Sequence, residues 1–166
     1  GVLCEKIKSL ETKDYVIVSP DTGFAGQARK FASYLKAPVV IADKQRLRHD
    51  ENAEITEIIG NVQGKTAIVV DDMIISGGTL KDVSEKLIQR GAKQVYAMAT
   101  HGVLSPGSEK KLDDSPIKKL FITDTVENQP EKFSSKIEVI SVAAVFGEAI
   151  KRIHNKESLS DIFTVK

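Results

Sequence analysis

Two adjacent carboxylates followed by four small residues form the segment best suited to chemistry: Asp71 and Asp72, then Ser76, Gly77, Gly78 and Thr79. A β-branched run leads into the carboxylates, and the small residues open a predicted helix. Amides at a helix N-terminus bind phosphate, whereas carboxylates suit sugar hydroxyls, a divalent cation or both. The pattern is neither a Walker A loop nor a dinucleotide-binding glycine loop. It predicts an anion site beside a carboxylate pair, with a plain strand end and tight turn as the alternative.

A second candidate is the almost wholly polar stretch over residues 43–52. It carries Lys44, Arg46 and a further arginine, and Leu47 is its one apolar anchor. Such a stretch between buried strands predicts a mobile loop, and a lid of cations that closes over phosphates is a common device. An ordinary solvated surface loop is the alternative interpretation.

The elements that position these residues alternate along the chain. Near-continuous Val/Ile runs separated by helical periods predict an α/β fold, with a mostly parallel sheet flanked by helices on both faces. Ligands of such sheets bind beyond the carboxyl ends of the strands, where both candidate segments lie. The predicted strands are 15–18, 38–42, 66–70, 94–100, 120–123 and 137–141, and the predicted helices are 2–10, 24–36, 80–90, 142–154 and 157–163.

Composition limits the function classes. The chain has 166 residues and a formal net charge of +1, without the basic excess expected of a nucleic-acid-binding domain. No apolar run reaches the ~20 residues that span a bilayer, and no secretory signal opens the chain. The single cysteine, Cys4, excludes an internal disulfide or a Cys-based zinc site. We expect one cytoplasmic domain over residues 1–166, without nucleic acid or membrane as a partner.

Several motifs in order carry a resemblance to a known family. The segment over 69–79 resembles the ribose-5-phosphate loop of the type I phosphoribosyltransferase fold. Within that fold, the ordered set resembles the ribose-phosphate pyrophosphokinases, or PRPP synthetases. The further motifs are Ser-Pro-Asp-Thr-Gly over 19–23, Asp-Lys-Gln-Arg over 43–46, Ala-Thr-His-Gly-Val over 99–103, Thr-Asp-Thr over 123–125, and residues 148–158.

The resemblance implies a reaction and a part of an enzyme. Family members transfer the β,γ-pyrophosphoryl group of ATP to the 1-hydroxyl of ribose 5-phosphate, with Mg²⁺. They have two similar halves and assemble as homo-oligomers, and this chain resembles the C-terminal half only. Because an apolar helical pattern begins at Val2 without a capping residue, we also expect the chain to start inside something larger. The hypothesis is that this chain binds ribose 5-phosphate but makes no PRPP by itself.

The resemblance also implies residue roles. Lys44 is the implied principal catalytic residue, and Arg46 assists it and reaches the substrate. Asp21 is the implied magnesium ligand. The implied ribose 5-phosphate contacts are Asp71 and Asp72 on the sugar, and Ile75 (through its backbone), Ser76, Gly77, Gly78 and Thr79 on the 5-phosphate.

The sequence departs from the family pattern at three positions. Ile75 stands where the family usually has Asp, and Phe24 and Gln27 stand where it has Gly and Arg. The departures leave two alternatives open: a non-catalytic regulatory relative of the synthetase, and a type I phosphoribosyltransferase that consumes PRPP. His101, at a predicted strand end, either contacts phosphate or orders a loop.

Overall fold

A computed structural model describes residues 1–10, 12, 14–45, 54–128 and 133–163. One seven-stranded sheet has the order β3-β2-β1-β4-β5-β6-β7. All neighbouring strands are parallel except β2 and β3, which pair antiparallel. The strands are β1 Tyr15–Ser19, β2 Val39–Gln45, β3 Glu54–Ile59, β4 Thr66–Ile74, β5 Gln94–Gly102, β6 Ile117–Thr123 and β7 Ile137–Ile140. The helices are α1 Val2–Lys8, α2 Ala25–Leu35, α3 Gly78–Gln89, α4 Ser108–Asp113, α5 Ala143–His154 and α6 Ser160–Phe163.

Helices cover both faces of the sheet, as the alternating pattern predicts. On one face, α1 and α2 pack apolar side chains such as Ile7 and Ala28 against the central strands. On the other face, α3 and α4 contribute Leu80, Leu87 and Leu112 to a second core. The predicted fold class, a mostly parallel α/β sheet with helices on both faces, is confirmed.

Strands β2 and β4, which carry predicted site residues, are longer than the sequence predicts. The expected loop over 43–52 is wrong at its start, because β2 continues through Lys44 to Gln45 and pairs with β3. The loop predicted from Asp71 is also wrong at its start, because β4 continues to Ile74 beside β5. In both places polar side chains interrupt the apolar run of the sequence, while the backbone remains hydrogen-bonded to the neighbouring strand.

Strand β3 lies outside the predicted strands, β5 continues to Gly102, β6 begins at Ile117, and several helices also differ from their predicted ranges. The short α4 was not predicted, and α1 ends two residues earlier than the expected 2–10. Helix α6 begins at Ser160 and not at residue 157. Among the described residues, no helix is long and apolar enough to cross a membrane.

Candidate functional site

The carboxyl ends of β1 and β4 lie side by side and bring two predicted site residues together. The strands pair in parallel with Val18 opposite Val69, so the segments that follow them leave the sheet at the same edge. Asp21 lies two residues after β1, and Asp71 lies in the extended end of β4. The two carboxylates interact, because the charge of Asp21 contributes to the raised pKa of Asp71. The sheet topology therefore supplies a carboxylate pair from segments 50 residues apart in the chain.

The carboxyl of Asp71 is half-buried, and its pKa is raised. Burial raises the pKa of Asp71 to about 6, and the charges of Asp72 and Asp21 act in the same direction. The backbone N–H of Asp72 donates to Oδ1 of Asp71 at 2.9 Å and opposes the shift. Asp72 itself is exposed. An ionised Asp71 is therefore costly in this structure, and a cation or a donating hydroxyl at its carboxylate would offset that cost.

A tight turn connects β4 to α3 and forms one wall of an open cleft. Gly77 precedes the helix with a φ of 72°, the left-handed conformation that glycine adopts without steric cost. The backbone N–H of Gly78 lies 3.4 Å from Oγ of Ser76, and the first helical hydrogen bond joins Lys81 N–H to Gly77 carbonyl at 3.0 Å. The amides of the first helical turn have no partner within the helix and carry its positive dipole end. Such a turn can hold an anion.

The cleft has a volume of about 250 Å³ and brings the carboxylate to the turn. Ile75 lines it and is exposed, as is Met73. Five of the eight residues predicted to bind substrate line it: Asp71, Ile75, Ser76, Gly77 and Thr79. Its remaining lining residues are Met73, Ile74 and Leu80. The cleft therefore offers a carboxylate, a helix N-terminus and an apolar wall.

The loop after β5 supports this turn through hydrogen bonds that the sequence did not predict. The carbonyl of Ile74 accepts the N–H groups of Val103 and Leu104 at 2.9 and 3.1 Å. The carbonyl of Ile75 accepts both the N–H and the hydroxyl of Ser105, at 2.8 and 3.0 Å. Because these contacts join segments about 30 residues apart, no local pattern announces them; the small and turn-forming residues at 105–107 were the available signal.

Asp21 is fixed by its own turn. Its Oδ1 accepts the backbone N–H of Phe24 at 2.8 Å, and its carbonyl accepts the hydroxyl of Ser19 at 2.7 Å. Magnesium takes oxygen ligands and keeps several waters, so one or two carboxylates suffice for it. Within the described residues, no group of three or more His, Cys, Asp or Glu side chains could hold a metal ion. The pair of Asp21 and Asp71 fits a hydrated magnesium ion and does not form a closed metal cage.

The two predicted catalytic cations lie at the limit of the described chain. The backbone of Lys44 pairs with Ile55 in the β2–β3 ladder, next to an irregularity between Asp43 and Lys44. Arg46 lies outside the described residues. Their roles stay predictions.

His101 contacts the neighbouring loop. Its Nδ1 lies 2.9 Å from the hydroxyl of Thr125, which also donates to the carbonyl of Thr100 at 3.0 Å. Asn128 Nδ2 donates to the carbonyl of Gly102 at 3.0 Å. These bonds tie the loop after β6 to the end of β5, so of the two roles left open for His101, the structure supports the ordering of a loop.

The chain is similar to several known proteins. Residues 49–164 match the family described as the phosphoribosyl synthetase-associated domain. The ribose-phosphate pyrophosphokinase of Oceanobacillus iheyensis is 46% identical over 162 residues, which is 98% of this chain and 51% of that protein. Phosphoribosylpyrophosphate synthetase from Mycobacterium smegmatis superposes with a TM-score of 0.82 at 31% identity, over 93% of this chain and 50% of that structure. The APRTase from Giardia lamblia, solved with 9-deazaadenine, shows a likeness of fold alone: TM-score 0.58, 17% identity, 72% of this chain and 73% of that one.

These matches cover the candidate site differently. The family match begins after Asp21 and Lys44, whereas the likeness to the Oceanobacillus protein spans nearly the whole chain. The chain spans about half the length of the curated relatives it matches. The resemblance carried by the ordered motifs is confirmed, and the chain belongs to the family of phosphoribosyl synthetase-associated domains.

Proposed function

We propose that this chain is the ribose 5-phosphate-binding part of a ribose-phosphate diphosphokinase. The proposed reaction transfers the pyrophosphoryl group of ATP to the 1-hydroxyl of ribose 5-phosphate and releases AMP. The observation that carries the proposal is the cleft in which the α3 turn faces the carboxylate of Asp71. The relatives named ribose-phosphate pyrophosphokinase support it.

The turn binds the 5-phosphate in this proposal. Backbone amides from Ile75 to Thr79 surround the phosphate, and the hydroxyls of Ser76 and Thr79 add donors. The glycines at 77 and 78 keep side chains out of the approach path. Fixed amides at a helix N-terminus neutralise a dianion without moving, which is the preorganisation that phosphoryl-transfer sites use.

Asp71 and Asp72 bind the ribose hydroxyls. A hydroxyl that donates to Asp71 favours its ionised form, which burial alone disfavours. Sugar binding and ionisation of Asp71 therefore support each other. Asp72, exposed beside it, is the second acceptor.

Asp21 holds the magnesium ion, which when bound neutralises charge on the phosphates of ATP. The fixed position of the Asp21 carboxylate supports this role, because its hydrogen bond to Phe24 N–H orients it at the end of β1. The like charges of Asp21 and Asp71 repel, and a cation near both relieves that repulsion.

Lys44 and Arg46 neutralise the transferred phosphates, with Lys44 as the principal catalytic residue. The geometry of β2 supports this role for Lys44. Ile41 pairs with Ser19 at the end of β1, and Lys44 follows three residues later, about 10 Å further along the strand direction. That extension runs past the end of β1, on the edge where Asp21 follows β1. The part of the relatives beyond this chain supplies further ATP contacts and homo-oligomer contacts in this proposal, so the chain alone makes no PRPP.

Isothermal titration calorimetry with ribose 5-phosphate, with and without Mg²⁺, tests the proposal. We expect saturable binding that Asp71→Ala abolishes and that the matched control Asp82→Ala, an exposed carboxylate on α3, leaves unchanged. A parallel titration with PRPP separates the classes of enzyme. Binding of PRPP without ribose 5-phosphate would favour the transferase alternative, and binding of neither ligand would contradict the proposal.

A further inference from the structure

Lys136, just before β7, makes a set of contacts that neither the sequence motifs nor the proposed reaction uses. Its Nζ donates to the carbonyls of Leu112, Asp113 and Ser115 at 3.2, 2.7 and 2.8 Å. An ammonium group has three donors, so these contacts satisfy it fully. The last carbonyls of a helix have no partner within it and carry its negative dipole end, which a cation stabilises. Lys136 therefore caps the carboxyl end of α4.

The same end of α4 is joined to β6. The hydroxyl of Ser115 donates to the carbonyl of Leu112 at 2.6 Å and accepts the N–H of Ile117 at 3.3 Å. Leu112 is 1% exposed. The start of β6 and the residue before β7 thus both hold the end of α4 that carries the buried Leu112.

Helix α4 packs directly against the turn of the cleft. A Cβ built on Gly77 would lie 3.4 Å from Cγ of Leu112 and 3.4 Å from the carbonyl oxygen of Ser108. Gly77 has no Cβ, so these distances describe the narrow space beside the turn, which α4 bounds on one side. A displacement of α4 would widen that space and allow the turn to relax.

We propose that Lys136 is a positioning residue for the turn at Ser76–Thr79, and that it acts through α4 and Leu112. Its ammonium holds α4 against Gly77, and α4 holds the amides of the turn in their anion-binding arrangement. The effect on the amides stands on the contacts alone, whereas the effect on a ligand rests on the proposed function.

Hydrogen exchange of the 166-residue chain, followed by mass spectrometry, tests the first effect. In Lys136→Met we expect faster exchange in peptides over 76–84 as well as over 108–115, by roughly 2- to 30-fold as for coupled positions. The first of these peptides contains the amide of Lys81, which donates to the carbonyl of Gly77 and so reports the turn. Peptides over β1 should be unchanged. The matched control is Lys118→Met, since Lys118 is a lysine of the neighbouring strand β6 that contacts Gln94 and the ring of Tyr96 instead. Lys136→Arg should exchange at about the wild-type rate in both segments, because a guanidinium group also donates to several carbonyls.

The outcomes are distinct. Faster exchange confined to 108–115, with 76–84 at the wild-type rate, would overturn the proposal, because Lys136 would then stabilise α4 only. Should Lys136→Met fail to fold, Ser115→Ala, which loosens the same end of α4 more gently, gives the same comparison.

Titration with ribose 5-phosphate and with inorganic phosphate tests the second effect. We expect Lys136→Met to raise the Kd of both ligands about 3-fold or more, with Lys118→Met at the wild-type value. An unchanged Kd in a Lys136→Met variant that exchanges faster at 76–84 would overturn the ligand part of the proposal. If the wild-type chain binds neither ligand, the proposed function fails, while the exchange experiment still decides the positioning role.

Discussion

Helices α3 and α5 are both twelve residues long, both amphipathic, and each follows a strand of the same sheet. Their surroundings differ. Helix α3 buries four residues, Leu80, Val83, Ser84 and Leu87, whereas α5 buries none of its twelve, all of which are described. Apolar side chains at helical spacing on α5 are instead exposed: Phe146 by 59%, Ile150 by 66% and Ile153 by 62%.

An amphipathic pattern therefore specifies an apolar face of a helix but not which part of the protein covers that face. Helix α3 follows β4, which lies in the middle of the sheet, and it packs on the apolar surface that β4 and β5 form there. Helix α5 leaves β7, the edge strand. The cleft is therefore built on elements that are already packed, which is what a preorganised anion site needs.

The largest expected effect separates the two helices by stability. Leu87→Ala on α3 should lower the free energy of unfolding by about 2–5 kcal/mol, because it leaves a cavity in a closed core. Ile150→Ala on α5 should change it by less than about 0.5 kcal/mol, because the side chain is already in solvent. Urea unfolding followed by circular dichroism, in dilute solution, measures both. Equal losses would mean that α5 is packed in solution.

Glycine substitutions compare the two regions at the backbone. Gly77→Ala should lower the free energy of unfolding by about 1–2 kcal/mol, because alanine is strained at a φ of 72°. Gly147→Ala, in the middle of α5 with open space around it, should gain about 0.5–1 kcal/mol. Urea unfolding followed by circular dichroism measures both changes in the free energy of unfolding. A neutral Gly77→Ala would show that the turn is not held in its left-handed conformation.

The pH dependence of stability should have opposite signs in the two regions. The pKa of Asp71 rises from its ordinary value of 3.8 to about 6, so the folded state binds its proton more tightly and stability falls as pH rises through that window. Asp71→Asn should therefore stabilise the chain at pH 7 by about 1 kcal/mol, a value reduced for the partial exposure of Asp71. The gain should vanish below the ordinary value, where both forms are neutral.

Glu148 on α5 provides the opposite case. Its hydrogen bond to Arg152 at 2.9 Å lowers the pKa of its carboxyl, aided by the charge of Lys151. It therefore contributes stability above its ordinary pKa, and this contribution is lost as pH falls through the lowered value. Thermal unfolding of Asp71→Asn and Glu148→Gln from pH 3.5 to 7 compares the two. Curves that run parallel to that of the wild type for Asp71→Asn would contradict the burial of this carboxyl.

The sequence predicted the parts of the site that are local. Apolar runs identified the core of β4, and the glycines after it identified the turn, because both depend on neighbouring residues. The extension of β4 through Asp71 was missed, since its polar residues hide a strand that β5 completes by hydrogen bonding. The contacts of Ser105, Leu112 and Lys136 were missed for the same reason: they join segments that only the folded sheet brings together.

In the proposed function, the turn at the start of α3 binds the phosphate of a phosphorylated ribose. Amide chemical-shift mapping by NMR, with ribose 5-phosphate and separately with ribose, tests it most directly. We predict that ribose 5-phosphate shifts the amides of Ser76, Gly77, Gly78 and Thr79, and that ribose lacks this effect. Shifts confined to other strand ends, or shifts equally large with ribose, would contradict the claim.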